Sequence, residues 1–253
     1  MKMPVNGFKA RLTAGPVQIG FWTSLCSATG VEVLGQTGFD WLLIDTEHAP
    51  NELSDVLSHL RASSLGDSAL VVRPAWNDAV LIKRILDIGA ANLLIPFIQN
   101  ETEAAAAVKA TRYPPVGTRG VTGSARASNY GKFEDYFARA NEEICVMVQV
   151  ETRSALDKLT DIASVEGVDG VFLGPSDLAA SFGHLGLPQN GDVQSALRDA
   201  VRRLQDLGKP AGILTTNREE AERYIEWGYR FVAVGTDINL LSREATRLRE
   251  CFR

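Results

Sequence analysis

The sequence predicts a closed (β/α)8 barrel of the TIM type, on three observations. Apolar runs recur along the chain at residues 17–22, 41–44, 69–72, 92–95, 144–151, 170–177, 211–217 and 230–237, each ending in a polar tip and most followed by an amphipathic helical stretch. Their Val, Ile and Leu residues do not alternate with polar ones, which is the pattern of strands buried on both faces. Eight such units fit the 253 residues available, the usual size of an eight-stranded α/β barrel. An open doubly wound sheet is the alternative that the same alternation allows. No internal repeat or linker divides the chain, so one domain is expected over residues 1–253.

Taken in order, a short basic helix at 8–14 precedes the first strand, and a helix at 28–36, closed by Gly38, precedes the second. Asn51 reads as the N-cap of a third helix with Leu53, Val56, Leu57 and Leu60 on one face. The third strand runs into Arg73 and Pro74. Asn77 or Asp78 caps the next helix, with Val80, Leu81, Ile85 and Leu86 as its stripe, and the fourth strand meets Pro96. After a helix at 101–111 the rhythm breaks at YPPVGTRGVTGSARASNYGKFEDYFARANEE, a Pro- and Gly-rich loop with a short helix at 133–141. Long loops in compact domains are often lids or binding loops, and Arg119 and Arg126 are candidates there for an anionic ligand; a solvated loop packing a subunit contact is the other reading. The last segment places Leu240, Leu241, Ala245, Leu248 and Phe252 on one helical stripe that closes the barrel.

Composition narrows the function. The chain is 45% hydrophobic and 23% charged, an ordinary globular balance, and its net charge of −5 with scattered Lys and Arg argues against a nucleic-acid partner. Cys26, Cys145 and Cys251 are odd in number and form no CxxC pair, which points to a reducing cytoplasm and away from a disulfide framework. No apolar stretch reaches the length of a membrane span or a signal segment, so neither export nor a membrane partner is expected.

In such a barrel the chemistry gathers where the strands end. The second strand ends in LLIDTEHAPN, bringing Asp45, Glu47 and His48; the others bring Trp22, Arg73, Gln149 with Glu151, Gly174 to Asp177, Thr215, and Thr236 with Asp237. Gln149 and Glu151 are two apart and face one side of an extended strand. Glu151 follows the apolar run ICVMV, and a carboxylate there needs a cation or a hydrogen-bond donor. With Asp177 it makes a pair suited to Mg or Mn, and a nearby His widens the choice to Co or Zn. Alternatively, Glu151 pairs with Arg73 and Asp177 caps a helix. His59 and His184 lie in a helix and a Gly-rich loop and are not catalytic candidates. Lys83, Lys109, Lys132, Lys158 and Lys209 fall away from the strand tips, which disfavours Schiff-base chemistry, and no G-x-G-x-x-G or P-loop is present.

The segments LLIDTEHAPN, VVRPAWND, TRYPPVGTRG, VQVET, EGVDGVFLGPSDL and FVAVGTD, in that order, resemble the HpcH/HpaI aldolase family of class II pyruvate aldolases. The resemblance implies a barrel holding a divalent metal ion through Glu151 and Asp177. The keto acid would be bound by Gln149 and by the backbone of Gly174, Pro175, Ser176 and Asp177, with Arg73 beside the keto oxygen. It implies His48 as a catalytic base paired with Asp45, and an acceptor region shaped by Trp22, Leu214 and residues 124–128. The implied reaction joins or cleaves a pyruvate or hydroxypyruvate unit and an aldehyde, as with 4-hydroxy-2-oxoheptanedioate or 2-keto-3-deoxy sugar acids. A hexamer with exchanged C-terminal helices is implied too. A CoA-ester lyase of the same superfamily and a non-catalytic keto-acid-binding barrel are the rival readings.

Overall fold

The computed structural model describes residues 1–252, and within them eight parallel strands close into a barrel in chain order. The strands are β1 (Gln18–Thr23), β2 (Trp41–Asp45), β3 (Ala69–Arg73), β4 (Asn92–Ile95), β5 (Cys145–Val150), β6 (Gly170–Leu173), β7 (Ala211–Leu214) and β8 (Phe231–Thr236). Closure comes from β8 pairing with β1, Gln18 lying opposite Phe231, with an irregularity between Gly20 and Trp22. Every run expected from sequence is a strand, and the open sheet is excluded.

The helices are α1 (Gly7–Ala14), α2 (Ala28–Gly35), α3 (Leu53–Ala62), α4 (Ala79–Asp87), α5 (Glu101–Thr111), α6 (Tyr136–Glu143), α7 (Arg153–Asp157), α8 (Leu159–Ser164), α9 (Pro175–Ser181), α10 (Gly191–Asp206), α11 (Arg218–Trp227) and α12 (Asp237–Glu250). Most of the core is the layer between sheet and helices, including Val56, Ile82, Val148, Leu197 and Val232. A second cluster fills the barrel itself, where Phe8, Trp41, Phe231, Phe172 and Trp22 form a chain of ring contacts with centroids 5.6–6.3 Å apart. Phe8 comes from α1, which plugs the N-terminal end. Two glycines make room for the rings: a Cβ on Gly20 would lie 2.0 Å from the Trp41 indole, and one on Gly212 2.1 Å from the Phe231 ring.

Three local expectations are corrected. Glu52, and not Asn51, stands at the N-cap of α3, its N–H donating to the Asp55 carboxylate at 2.8 Å; Asn51 is buried, its amide donating to the Asp45 carbonyl at 2.7 Å. On α4, Asp78 is the cap as expected, but the buried residues are Ile82, Ile85 and Leu86, while Val80 is exposed. The segment 113–143 lies at the opposite end from the strand tips, because it connects a helix to the start of a strand. Its residues Arg126, Ala127, Tyr130 and Phe133 share a cavity with Met3–Phe8, Ala69 and Ala91 at the strand starts. Residues 124–128 therefore do not shape their own chain's mouth, and the loop is not its lid. Arg119 is buried there, 2.9 Å from Asp87, 3.1 Å from the Tyr136 hydroxyl and 4.5 Å above the Tyr113 ring, and Arg126 donates to the Ile88 carbonyl at 3.0 Å. Arg119 is thus a structural cation and not an anion receptor, while Arg126 is tied to backbone and lines that same cavity. No residue of α12 is buried, and Ile238, Leu240, Leu241 and Leu248 are exposed along it, as is Phe252 beyond its end.

Candidate active site

The strand tips converge on a cavity of about 500 Å³ at the C-terminal mouth, lined by Trp22, His48, Arg73, Gln149, Gly174, Pro175, Ser176, Asp177 and Leu214, and by residues following β6, β7 and β8. Glu151 and Asp45 stand behind this lining, bonded to the lining residues Gln149 and Arg73 respectively.

Arg73 is the centre of one wall. It is 5% exposed and is gripped by Asp45 through two hydrogen bonds, Nε to Oδ1 at 2.9 Å and Nη2 to Oδ2 at 2.6 Å. This fork arises because Asp45 and Arg73 are register partners at the ends of β2 and β3. Arg73 Nη1 lies 2.9 Å from Glu47 and 3.4 Å from the Gln149 amide oxygen, and the guanidinium carbon stands 5.0 Å from the Trp22 ring centre. Burial works against an ionised Asp45, but the hydrogen bonds and charge of Arg73 outweigh it, with help from the Glu47 N–H and the Trp22 indole. The Asp45 carboxyl is held below its usual range as a result. The pairing expected between Asp45 and the His48 imidazole is not formed. His48 is exposed at the rim and reaches Asp45 only through its backbone N–H, at 3.3 Å, because Arg73 and Trp22 already take the carboxylate. Glu47, half-buried, is pushed up by burial despite Arg73 and His48.

Glu151 backs the facing wall, behind Gln149 and Gly174. Just beyond β5, it is 3% exposed and on the same side as Gln149, whose amide donates to Glu151 Oε2 at 2.5 Å. Its other oxygen accepts from the Phe97 N–H at 3.0 Å. Phe97 sits at φ 55°, a conformation that bulky residues avoid. The Glu151 bond, the Ile98 N–H to Gln149 carbonyl bond at 3.0 Å and contact with Trp76 at 5.5 Å hold it there. Glu151 packs directly beneath Gly174, where a Cβ would come within 2.7 Å of its carboxylate. Neither alternative use of these residues occurs: Arg73 pairs with Asp45 and Glu47, not Glu151, and Asp177, in the first turn of α9, is not its N-cap.

Burial raises the Glu151 pKa to about 7, and the charges of Asp177 and Glu47 add to the shift, while Arg73 and the Gln149 bond oppose it. This wall thus carries more negative charge than its donors balance, and oxygen donors with surplus negative charge suit a hard divalent cation. Among the described residues no three His, Cys, Asp or Glu side chains form a ready-made metal cluster. A two-carboxylate site leaves the remaining coordination positions to water and substrate.

A carboxyl raised in the folded state binds more protons folded than unfolded, here between its ordinary 4.5 and about 7. Stability of the cation-free protein is therefore expected to fall as pH rises through that window. Melting curves in chelator from pH 4.5 to 8 check this against Glu151→Gln, which stays neutral and should flatten the fall. Parallel slopes for the two proteins would mean that Glu151 is not the group responsible.

Comparison with known proteins identifies the family. The family model for HpcH/HpaI aldolase/citrate lyase matches residues 18–243, from β1 into α12. The chain belongs to this family. Among HpcH/HpaI relatives, a pyruvate aldolase of Rhizobium etli is 53% identical over 252 residues, covering 100% of this chain and 99% of the relative. A 4-hydroxy-2-oxo-heptane-1,7-dioate aldolase of Klebsiella pneumoniae is 52% identical, covering 98% and 94%. An HpcH/HpaI aldolase/citrate lyase family structure from Burkholderia cenocepacia superposes with a TM-score of 0.96 at 40% identity, covering 98% of this chain and 100% of that one. These similarities span the whole barrel, so they include every strand that supplies the mouth.

The sequence reading overlooked part of the mouth. Gln189, Thr216, Asn217, Glu220 and Asn239 also line the cavity. A helical residue such as Glu220, one turn beyond its strand, carries no apolar-to-polar transition to mark it.

Proposed function

We propose that this HpcH/HpaI family member is a divalent-metal-dependent aldolase, a carbon–carbon lyase that cleaves or forms 4-hydroxy-2-keto acids. The observation that carries the reading is the buried Glu151 carboxylate, beside Gln149 and across from Asp177, with the caged Arg73 guanidinium on the opposite wall. The names of the relatives support the reaction class.

Glu151 and Asp177 would hold the cation, Mg or Mn by preference for oxygen donors, with Co or Zn also compatible. The chemistry such a cation supplies when bound is Lewis-acid polarisation of the keto oxygen. Gln149 and the backbone from Gly174 through Pro175 and Ser176 to Asp177 orient the keto-acid end. Arg73, always charged and locked by Asp45, presents positive charge to the keto oxygen as negative charge develops on it. Asp45 is thus a positioning residue for Arg73. His48 removes the proton from the C4 hydroxyl, directly or through water. The C3–C4 bond then breaks, its electrons pass into the C2–C3 enolate, the C4 half leaves as an aldehyde, and protonation at C3 yields pyruvate. Trp22 and Leu214 bound the space beside the reacting carbons. Among the described residues no lysine lines the cavity, in keeping with an enolate route that needs no Schiff base.

Chelation is expected to abolish pyruvate release from 4-hydroxy-2-keto acids, and Mn²⁺, Mg²⁺, Co²⁺ or Zn²⁺ to restore it. Turnover that survives complete chelation would defeat the reading. Exposure of the apolar side of α12 supports exchange of that helix between subunits of a hexamer, which light scattering after size exclusion tests. Three free cysteines are consistent with a cytoplasmic site of action, and among the described residues no helix is long and apolar enough to cross a membrane.

A further inference from the structure

A keto acid of three carbons occupies only the Arg73–Glu151 end of the mouth. By comparison with the ~30 Å³ share of one water, it displaces on the order of 100 Å³, well short of the cavity's 500 Å³. The remainder runs across the barrel to the connection between β7 and α11, where the lining changes character. Thr215, Thr216, Asn217 and Glu220 form that arm, with Gln189 from the segment before α10.

These groups are fixed by one another. The Thr215 hydroxyl donates to Glu220 Oε2 at 2.6 Å and accepts from the Asn217 N–H at 3.1 Å, and the Asn217 side chain caps α11 by accepting from the Glu220 N–H at 2.9 Å. Thr215 is buried and Glu220 half-buried, so the carboxylate is held at the cavity wall and is not free to swing into solvent. Of its two oxygens only Oε2 has a protein donor among the described residues, and Glu220 lines the cavity.

Charge decides what such an arm accepts. An anionic group placed there meets the Glu220 carboxylate, while the one arginine of the lining, Arg73, is already engaged by Asp45 and Glu47. A hydroxyl group meets an acceptor with an open lone pair, and hydrogen bonds to charged acceptors are the stronger kind. An apolar chain would strip water from Glu220 and give nothing in return. Resting on the aldolase reading above, we propose that the β7–α11 arm is the acceptor subsite for a neutral hydroxyaldehyde, and that Glu220, positioned by Thr215, selects it by accepting a hydrogen bond from its hydroxyl.

The test is a set of aldol additions of pyruvate with Mn²⁺ present, using D- and L-glyceraldehyde, propanal and succinic semialdehyde as acceptors of neutral-hydroxylated, apolar and anionic type. The wild-type protein is expected to favour a glyceraldehyde over both others in kcat/KM, by 10-fold or more. Glu220→Leu should lower the glyceraldehyde-to-propanal ratio at least 10-fold, mainly through the KM for glyceraldehyde, with Glu220→Gln intermediate. A wild type that prefers propanal or succinic semialdehyde overturns the subsite without reference to any variant, and an unchanged ratio in Glu220→Leu overturns the role of Glu220. Methyl-proton exchange of pyruvate, followed by NMR on the wild type, separates the two levels. If exchange occurs without the expected ranking, the acceptor assignment alone fails; if exchange is absent, the aldolase reading fails with it.

Discussion

Arg73→Ala is expected to lower kcat/KM for cleavage of 4-hydroxy-2-keto acids by about 10²–10³-fold, the scale at which loss of one preorganised charge stabiliser registers. The guanidinium is held on three sides, by Asp45 through two bonds, by Glu47 and by the Gln149 amide oxygen. It therefore needs no reorganisation as charge develops. Arg73→Lys should recover little, because an ammonium cannot reproduce the two-pronged grip on Asp45. Both variants leave Glu151 and Asp177 in place, so Mn²⁺ binding measured by titration calorimetry should persist. Turnover within tenfold of the wild type would remove Arg73 from the reaction. The alanine variant also leaves Asp45 buried without its cation, and some loss of stability should accompany the loss of rate.

Gly212→Ala is expected to be, with Gly20→Ala, among the most damaging single-methyl changes in the barrel. Its Cβ would lie 2.1 Å from Phe231 Cε2 and 2.4 Å from Cζ. The ring cannot retreat, since Phe172 and Trp41 are packed against it at centroid distances of 5.9 and 6.3 Å. Overpacking of a dense core costs about 1–3 kcal/mol and occasionally more, and this contact belongs at the upper end. For a chain of this size that corresponds to a fall in Tm of roughly 6–12 °C. Phe231→Leu on top of Gly212→Ala should recover part of the loss, and a double-mutant cycle by thermal melting measures the coupling. If the two changes simply add, the ring and the glycine do not share the space.

The barrel was legible in the sequence because strands buried on both faces leave unbroken Val, Ile and Leu runs, and all eight survive as strands. Gln149 and Glu151 were legible as same-face neighbours because the strand period is two, and their 2.5 Å contact follows from it. What could not be read was set by contacts between distant segments. Asp45 looked like a partner for His48, three residues away, yet it is turned to Arg73 by the register of β2 on β3. Asn51 had the composition of a cap, but the Asp45 carbonyl claimed its amide. Arg119 resembled an anion receptor until Asp87, Tyr113 and Tyr136 enclosed it. Local periodicity carries no record of which polar groups meet across elements.

Ring closure also has an evolutionary side. In a closed circle of eight, β3 and β7 stand four strands apart in either direction and share no neighbour. Mutations on the β7–α11 connection can therefore accumulate, and be selected, without disturbing the β2–β3 fork that cages Arg73. A change at the β7–α11 connection can thus reshape that side of the mouth while the contacts that hold Arg73 stay as they are.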